Sequence, residues 1–86
     1  MPEICRIGRL VITMWPNDHW PPHFHVEHAR GDAMIRIDPV RLLEGRLRPS
    51  ERRTIQAWAQ AHKVELLANW ERLRAGLPAQ RIAPPE

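Results

Sequence analysis

At 86 residues, 43% of them hydrophobic and 27% charged, the chain has the size and composition of one small folded domain, which excludes a multidomain enzyme and an intrinsically disordered segment. A single cysteine, Cys5, excludes an intrachain disulfide, and no apolar run approaches the roughly 18 residues that span a bilayer. The formal charge is +3 and twelve of the thirteen basic residues are arginine, a modest excess interspersed with ten acidic residues.

Ile4 to Ile7 is short and apolar, and Gly8-Arg9 after it is a turn signal. Leu10 to Trp15 is rich in β-branched and large side chains and is too short for a helix. Two tightly joined strands are expected, with Leu10, Ile12 and Met14 sharing one face. Pro16 ends the second strand, because proline cannot donate to the ladder, and residues 16–22 form a stiff loop with three prolines. His23 to His28 reads as the third strand, with Phe24 and Val26 on one face and His23, His25 and Glu27 on the other. A turn over Ala29-Arg30-Gly31-Asp32 leads to a fourth strand, Ala33 to Ile37, with Arg36 opposite the core-facing Ala33, Ile35 and Ile37. Val40 to Leu43 is a short fifth strand or a helical turn, broken by Gly45.

From Pro49 the period changes. Ile55, Trp58 or Ala59, His62, Leu66, Trp70 and Leu73 recur at spacings of three and four, an amphipathic helical stripe that Gly76 and Pro78 stop. One helix over residues 50–75 would be roughly 39 Å long. A break near Ala61-His62-Lys63 would give two, but the unbroken stripe favours one. Trp58 and Trp70 are read as core anchors. Residues 77–86 carry three prolines and no period, and are expected to be extended or frayed. The expected architecture is α+β: a single domain over residues 1–86, with an antiparallel meander of four or five strands over residues 3–43. One face is covered by a long C-terminal helix or two consecutive helices. So small a core makes a homodimer or partner interface a source of further burial. The N-terminal residues show no basic-then-apolar leader, so a cytoplasmic location is expected.

Four of the five histidines, His19, His23, His25 and His28, fall within ten residues. His23 and His25 lie on one side of a strand with Cβ atoms roughly 7 Å apart, close enough for both rings to converge on one ion. A catalytic zinc takes three protein ligands plus water, and His19 or Asp18 in the stiff loop can supply the third. Asp18, His19, His23 and His25 are therefore candidate ligands for a divalent transition metal such as zinc. Without a metal, His23 and His25 could serve as general base and acid in RNA transesterification, with Arg36 stabilising the phosphorane charge if the hairpin register allows. A structural role competes with both. Pro16, Pro21 and Pro22 lack N–H groups, so the loop has spare carbonyls that imidazoles can satisfy. His28 alternates away from the pair, and His62 lies on the helical stripe as a packed or edge histidine.

Two surface features complete the reading. Trp20, between His19 and Pro21, is expected to be exposed and to meet a partner or ligand near the histidines. Arg46, Arg48, Arg52 and Arg53 surround a helix start and could bind nucleic-acid phosphates with the free N–H groups of the first turn, or simply be solvated.

The segments Met1-Pro2-Glu3-Ile4 with Arg6, Leu10-Val11-Ile12, Asn17-Asp18-His19 and Pro21-Pro22-His23-Phe24-His25-Val26 together form a recognisable pattern. Leu43-Glu44-Gly45, Glu65-Leu66-Leu67 and Asn69-Trp70-Glu71 complete it. On these the chain resembles the small bacterial family known as domain of unknown function 4160, while Trp20 and the wealth of arginine look peculiar to this member. The resemblance implies a compact stand-alone domain, often encoded beside another small protein, and a toxin–antitoxin-like or regulatory role. It brings no established activity and no catalytic residues. The expected function is a binding or regulatory module of such a two-gene system, contacting a small protein encoded next to it, nucleic acid, or both. The alternative is a small histidine-dependent phosphodiesterase or ribonuclease, with or without a metal.

Overall fold

In the computed structural model, which describes residues 2–85, the alternating side chains of the first half line up across a five-stranded antiparallel sheet. The strands are β1 (Glu3–Ile7), β2 (Leu10–Thr13), β3 (His23–His28), β4 (Gly31–Ile37) and β5 (Val40–Glu44), in that spatial order. The pairs Ile12↔Val26, Val26↔Ala33 and Phe24↔Ile35 stack apolar residues on one face, where all five are buried. No helix among the described residues is long and apolar enough to cross a membrane.

The hairpins differ in detail from the sequence expectation. His28 pairs with Gly31, so only Ala29 and Arg30 turn, and Gly31 and Asp32 open β4 instead of belonging to the connection. Residues 40–44 form a strand and not a helical turn. Its register shifts between Met34↔Glu44 and Ile35↔Leu42, leaving Leu43 as the extra residue of a bulge. Gly45 follows with φ +83°, and a Cβ there would run into the Asp32 carbonyl oxygen and lie 2.7 Å from Ala33 Cα. The close approach of the two backbones requires glycine.

Helices α1 (Pro49–Ala61) and α2 (Lys63–Arg74) cover the apolar face with Ile55, Trp58 and Ala59 from the first and Leu66, Asn69 and Trp70 from the second. Trp58 meets Phe24 edge to face, with ring centroids 5.8 Å apart. The single helix favoured by the stripe is not formed: His62, at φ −114° and ψ 24°, turns the chain between the two. The stripe survives the break because both helices bury the same side, so its period carries no information about the bend. A straight helix of about 39 Å would overhang a molecule whose longest extent is 34 Å.

The tail is extended, and it is docked rather than frayed. Trp58 Nε1 donates to Ala83 O at 2.8 Å, and the Ile82 N–H donates to Ile4 O at 2.8 Å. The buried Asn69 carboxamide donates to Gln80 O and accepts from Gln80 N–H, at 2.7 and 2.8 Å. These bonds bring Ile82 into the core at 4% exposure, an isolated apolar residue that no periodicity would have singled out.

The start of α1 is closed by Glu51, which accepts the Arg48 backbone N–H at 2.9 Å and an Arg30 guanidinium N–H. That backbone donor, and then the Arg30 charge, hold the Glu51 carboxyl below the usual range. Since the folded value lies below the unfolded one, the stabilisation is present above the unfolded value and is lost as pH falls through the folded one. Glu51→Gln is expected to cost about 0.5–1 kcal/mol at pH 7, and the gap should narrow by about pH 3, below the unfolded carboxyl range, and vanish once the folded carboxyl is itself protonated. Urea unfolding at the two pH values checks this. An equal gap at both would show that the charge contributes nothing.

Candidate metal centre

β3 sends His23 and His25 to the face of the sheet away from the Phe24–Val26 core, where they pair with Arg36 and Met34 of β4. The loop after β2 then returns over that face, because Pro16, Pro21 and Pro22 cannot extend the ladder, and it delivers Asp18 to the two rings. Asp18 Oδ2 lies 2.9 Å from His25 Nε2 and 3.4 Å from His23 Nε2. One ligand atom from each of the three residues falls within 4.8 Å of the others. The imidazoles meet edge to face, with centroids 5.1 Å apart.

The surroundings orient both rings. His23 Nδ1 is 2.7 Å from Pro21 O. A carbonyl only accepts, so Nδ1 carries the proton, and the neutral ring then presents a lone pair at Nε2. His25 Nδ1 lies 3.4 Å from Asp32 Oδ2. Each imidazole thus has its outer nitrogen against an oxygen and its Nε2 towards Asp18, the disposition that outer partners impose on metal-binding histidines. Although it lies opposite the Phe24–Val26 face, His23 is buried at 3% exposure, with the Trp70 ring centroid 5.3 Å from its own. Trp70 stiffens a ring that strand geometry alone would leave free.

Asp18 and His23 open onto a cleft of about 400 Å³ whose other walls are His19, Trp20, Pro21, Met34, Leu43 and Glu44. Trp20 is 68% exposed there. His19 borders the cleft but is exposed and stands outside the three-residue cluster. The register sets Arg36 opposite His23, yet its Nε donates to Pro39 O at 3.1 Å. Glu27 accepts the Thr13 hydroxyl at 3.2 Å, and His28 Nδ1 accepts the Arg30 N–H. His62 is bound to Glu65 beside Trp58, apart from the cluster. Arg46, Arg48, Arg52 and Arg53 are all exposed around the start of α1.

Sequence reasoning misses Asp32 because it places that residue in a turn. A two-residue hairpin, with His28 opposite Gly31, sets it on β4 diagonal to His25 and on the same face. Met34 and Glu44 are likewise missed as cleft walls, since they come from strands whose register only the fold reveals.

A family model described as "Domain of unknown function (DUF4160)" matches residues 10–71, well over half of the chain, and that span includes Asp18, His23, His25 and Asp32. No curated protein and no solved structure matches the chain.

Proposed function

The chain belongs to the domain of unknown function (DUF4160) family, and we propose that it is a metal-binding module that holds a divalent transition ion, such as zinc, between Asp18, His23 and His25. The observation that carries this reading is a confrontation of acceptors. With Nδ1 donating to Pro21 O, His23 turns Nε2 towards a carboxylate oxygen 3.4 Å away, and the same oxygen is 2.9 Å from His25 Nε2. In the neutral ring that nitrogen is an acceptor facing an acceptor, a contact that a cation between them, a metal ion or a proton, relieves. Mixed nitrogen and oxygen donors suit zinc and its neighbours better than magnesium or calcium. Three protein ligands leave a tetrahedral ion one position for water or a ligand.

Calorimetric titration of the metal-free chain with zinc is expected to show one site per chain. Zinc at about 100 times its dissociation constant should raise stability by roughly 2.7 kcal/mol. Binding without saturation, or at several equivalent sites, would remove the reading.

The metal-free phosphodiesterase reading is less well supported. The Asp18 carboxylate occupies the space between the two Nε2 atoms where a phosphate would have to sit, and Arg36 is engaged by Pro39 O. The toxin–antitoxin-like role, with a small protein encoded nearby or nucleic acid as partner, rests on the family resemblance. Exposed Trp20 and the arginines at 46, 48, 52 and 53 favour a contact surface.

A further inference from the structure

We infer that the cleft beside Asp18 and His23 binds an organic cation, an amine or guanidinium group laid against Trp20 and paired with Glu44, and not a phosphate. This deepens the metal-binding reading by naming the ligand class of the same site, although cation recognition itself needs no metal.

The walls carry the inference. They include two carboxylates, Asp18 and Glu44, and neither lysine nor arginine. That is a local reversal of sign in a protein whose net charge is +3. The basic residues of the neighbouring strands, Arg36 and Arg41, face each other across β4 and β5, and neither lines the cleft. Glu3, Glu51 and Glu65 are each paired with a basic side chain, whereas Glu44 makes no ion pair or side-chain hydrogen bond among the described residues. His23, nine-tenths buried, also lines the cleft, with Nδ1 bonded to Pro21 O and Nε2 3.4 Å from Asp18 Oδ2.

Trp20 supplies the second half of the recognition. An indole face attracts ammonium and guanidinium groups, more strongly where water is partly excluded, and here Pro21, Met34 and Leu43 provide apolar surroundings. On the metal-free chain a phosphate finds neither lysine nor arginine on the cleft walls, and so no guanidinium fork to bind it.

The test titrates the full chain, metal-free and zinc-loaded, with agmatine and separately with dimethyl phosphate, following the Trp20 indole resonance. On the metal-free chain agmatine should bind saturably and at least 10-fold more tightly than dimethyl phosphate. Glu44→Gln and Trp20→Ala should each weaken agmatine binding about 5- to 10-fold, while Trp20→Phe retains most of it. Both positions are exposed, so the variants are expected to fold, and circular dichroism confirms it. A blocked Gly-Arg-Gly peptide outbinding agmatine would place the cation on a protein side chain, and the reverse would place it on a free amine. Dimethyl phosphate binding the metal-free chain as tightly as agmatine, or full agmatine binding by both Glu44→Gln and Trp20→Ala, would overturn the inference. Agmatine binding to a chain that fails to take zinc would leave this inference standing and remove only the metal. Zinc binding without agmatine binding would do the opposite.

Discussion

Zinc affinity should fall more than about 100-fold in His25→Ala, because one of three protein ligands is lost, whereas losing an outer partner of a ligand costs roughly 10- to 100-fold. Asp32→Asn supplies that comparison. Its carboxylate faces His25 Nδ1 from 3.4 Å, so the substitution should weaken zinc by about 10-fold. His19→Ala should leave affinity unchanged, since that ring stands outside the cluster. His25 is a cleaner choice than His23, which is wedged against Trp70 and whose loss would open a hole in a packed region. Asp18→Asn keeps the shape of the third ligand while removing its charge, and is expected to follow His25→Ala in direction. Stability of these variants without metal should stay within about 1–2 kcal/mol of the parent. Competition titration with a zinc chelator ranks the series. Equal affinities for His25→Ala and His19→Ala would show that the ion, if bound, sits elsewhere.

Gly45→Ala is expected to destabilise the domain by about 3–5 kcal/mol, the range reserved for substitutions that break a specific structural requirement. Two effects add. The residue sits at φ +83°, where an L side chain is strained, and its Cβ would meet the Asp32 carbonyl oxygen and Ala33 Cα. Both are backbone atoms of β4, paired on its other side with β3, so relief requires moving the sheet and not a flexible side chain. Gly8→Ala separates the two effects. Gly8 also has positive φ, at 59°, but nothing lies within 4 Å of the place its methyl group would take, so only the conformational cost of about 1 kcal/mol applies. For a domain of this size each 1 kcal/mol moves Tm by roughly 4–8 °C. Gly45→Ala should therefore unfold some 12–40 °C early, and Gly8→Ala by less than about 10 °C. Similar shifts for the two would mean that the close approach of β5 to β4 is unimportant. Because Gly45 borders Glu44 in sequence and Asp32 in space, the same substitution should also weaken zinc binding at temperatures where the chain remains folded.

Much of the sheet was legible from side-chain alternation. β3 begins and ends at His23 and His28 as the pattern of Phe24 and Val26 against His23 and His25 required, and the meander with helices on one face followed from the change of period near Pro49. The family was legible too, from short segments spread along the chain, and the matched residues 10–71 include most of them. The docking of Ile82 and the bulge at Leu43 were not legible, and the break near Ala61-His62-Lys63 could be located in the sequence but not chosen over one continuous helix. Each is set by what the chain packs against, not by any local period.

The candidate site divides in the same way. Sequence alone put two imidazoles on one side of one strand, because a pleated backbone sends alternate side chains to opposite faces whatever the rest of the chain does. Only the tertiary structure could choose Asp18 over His19, lay Trp70 against His23 and bring Asp32 behind His25. Those choices depend on how a proline-stiffened loop returns across the sheet and on a hairpin register, both of which join residues far apart in the chain through packing that no local pattern encodes.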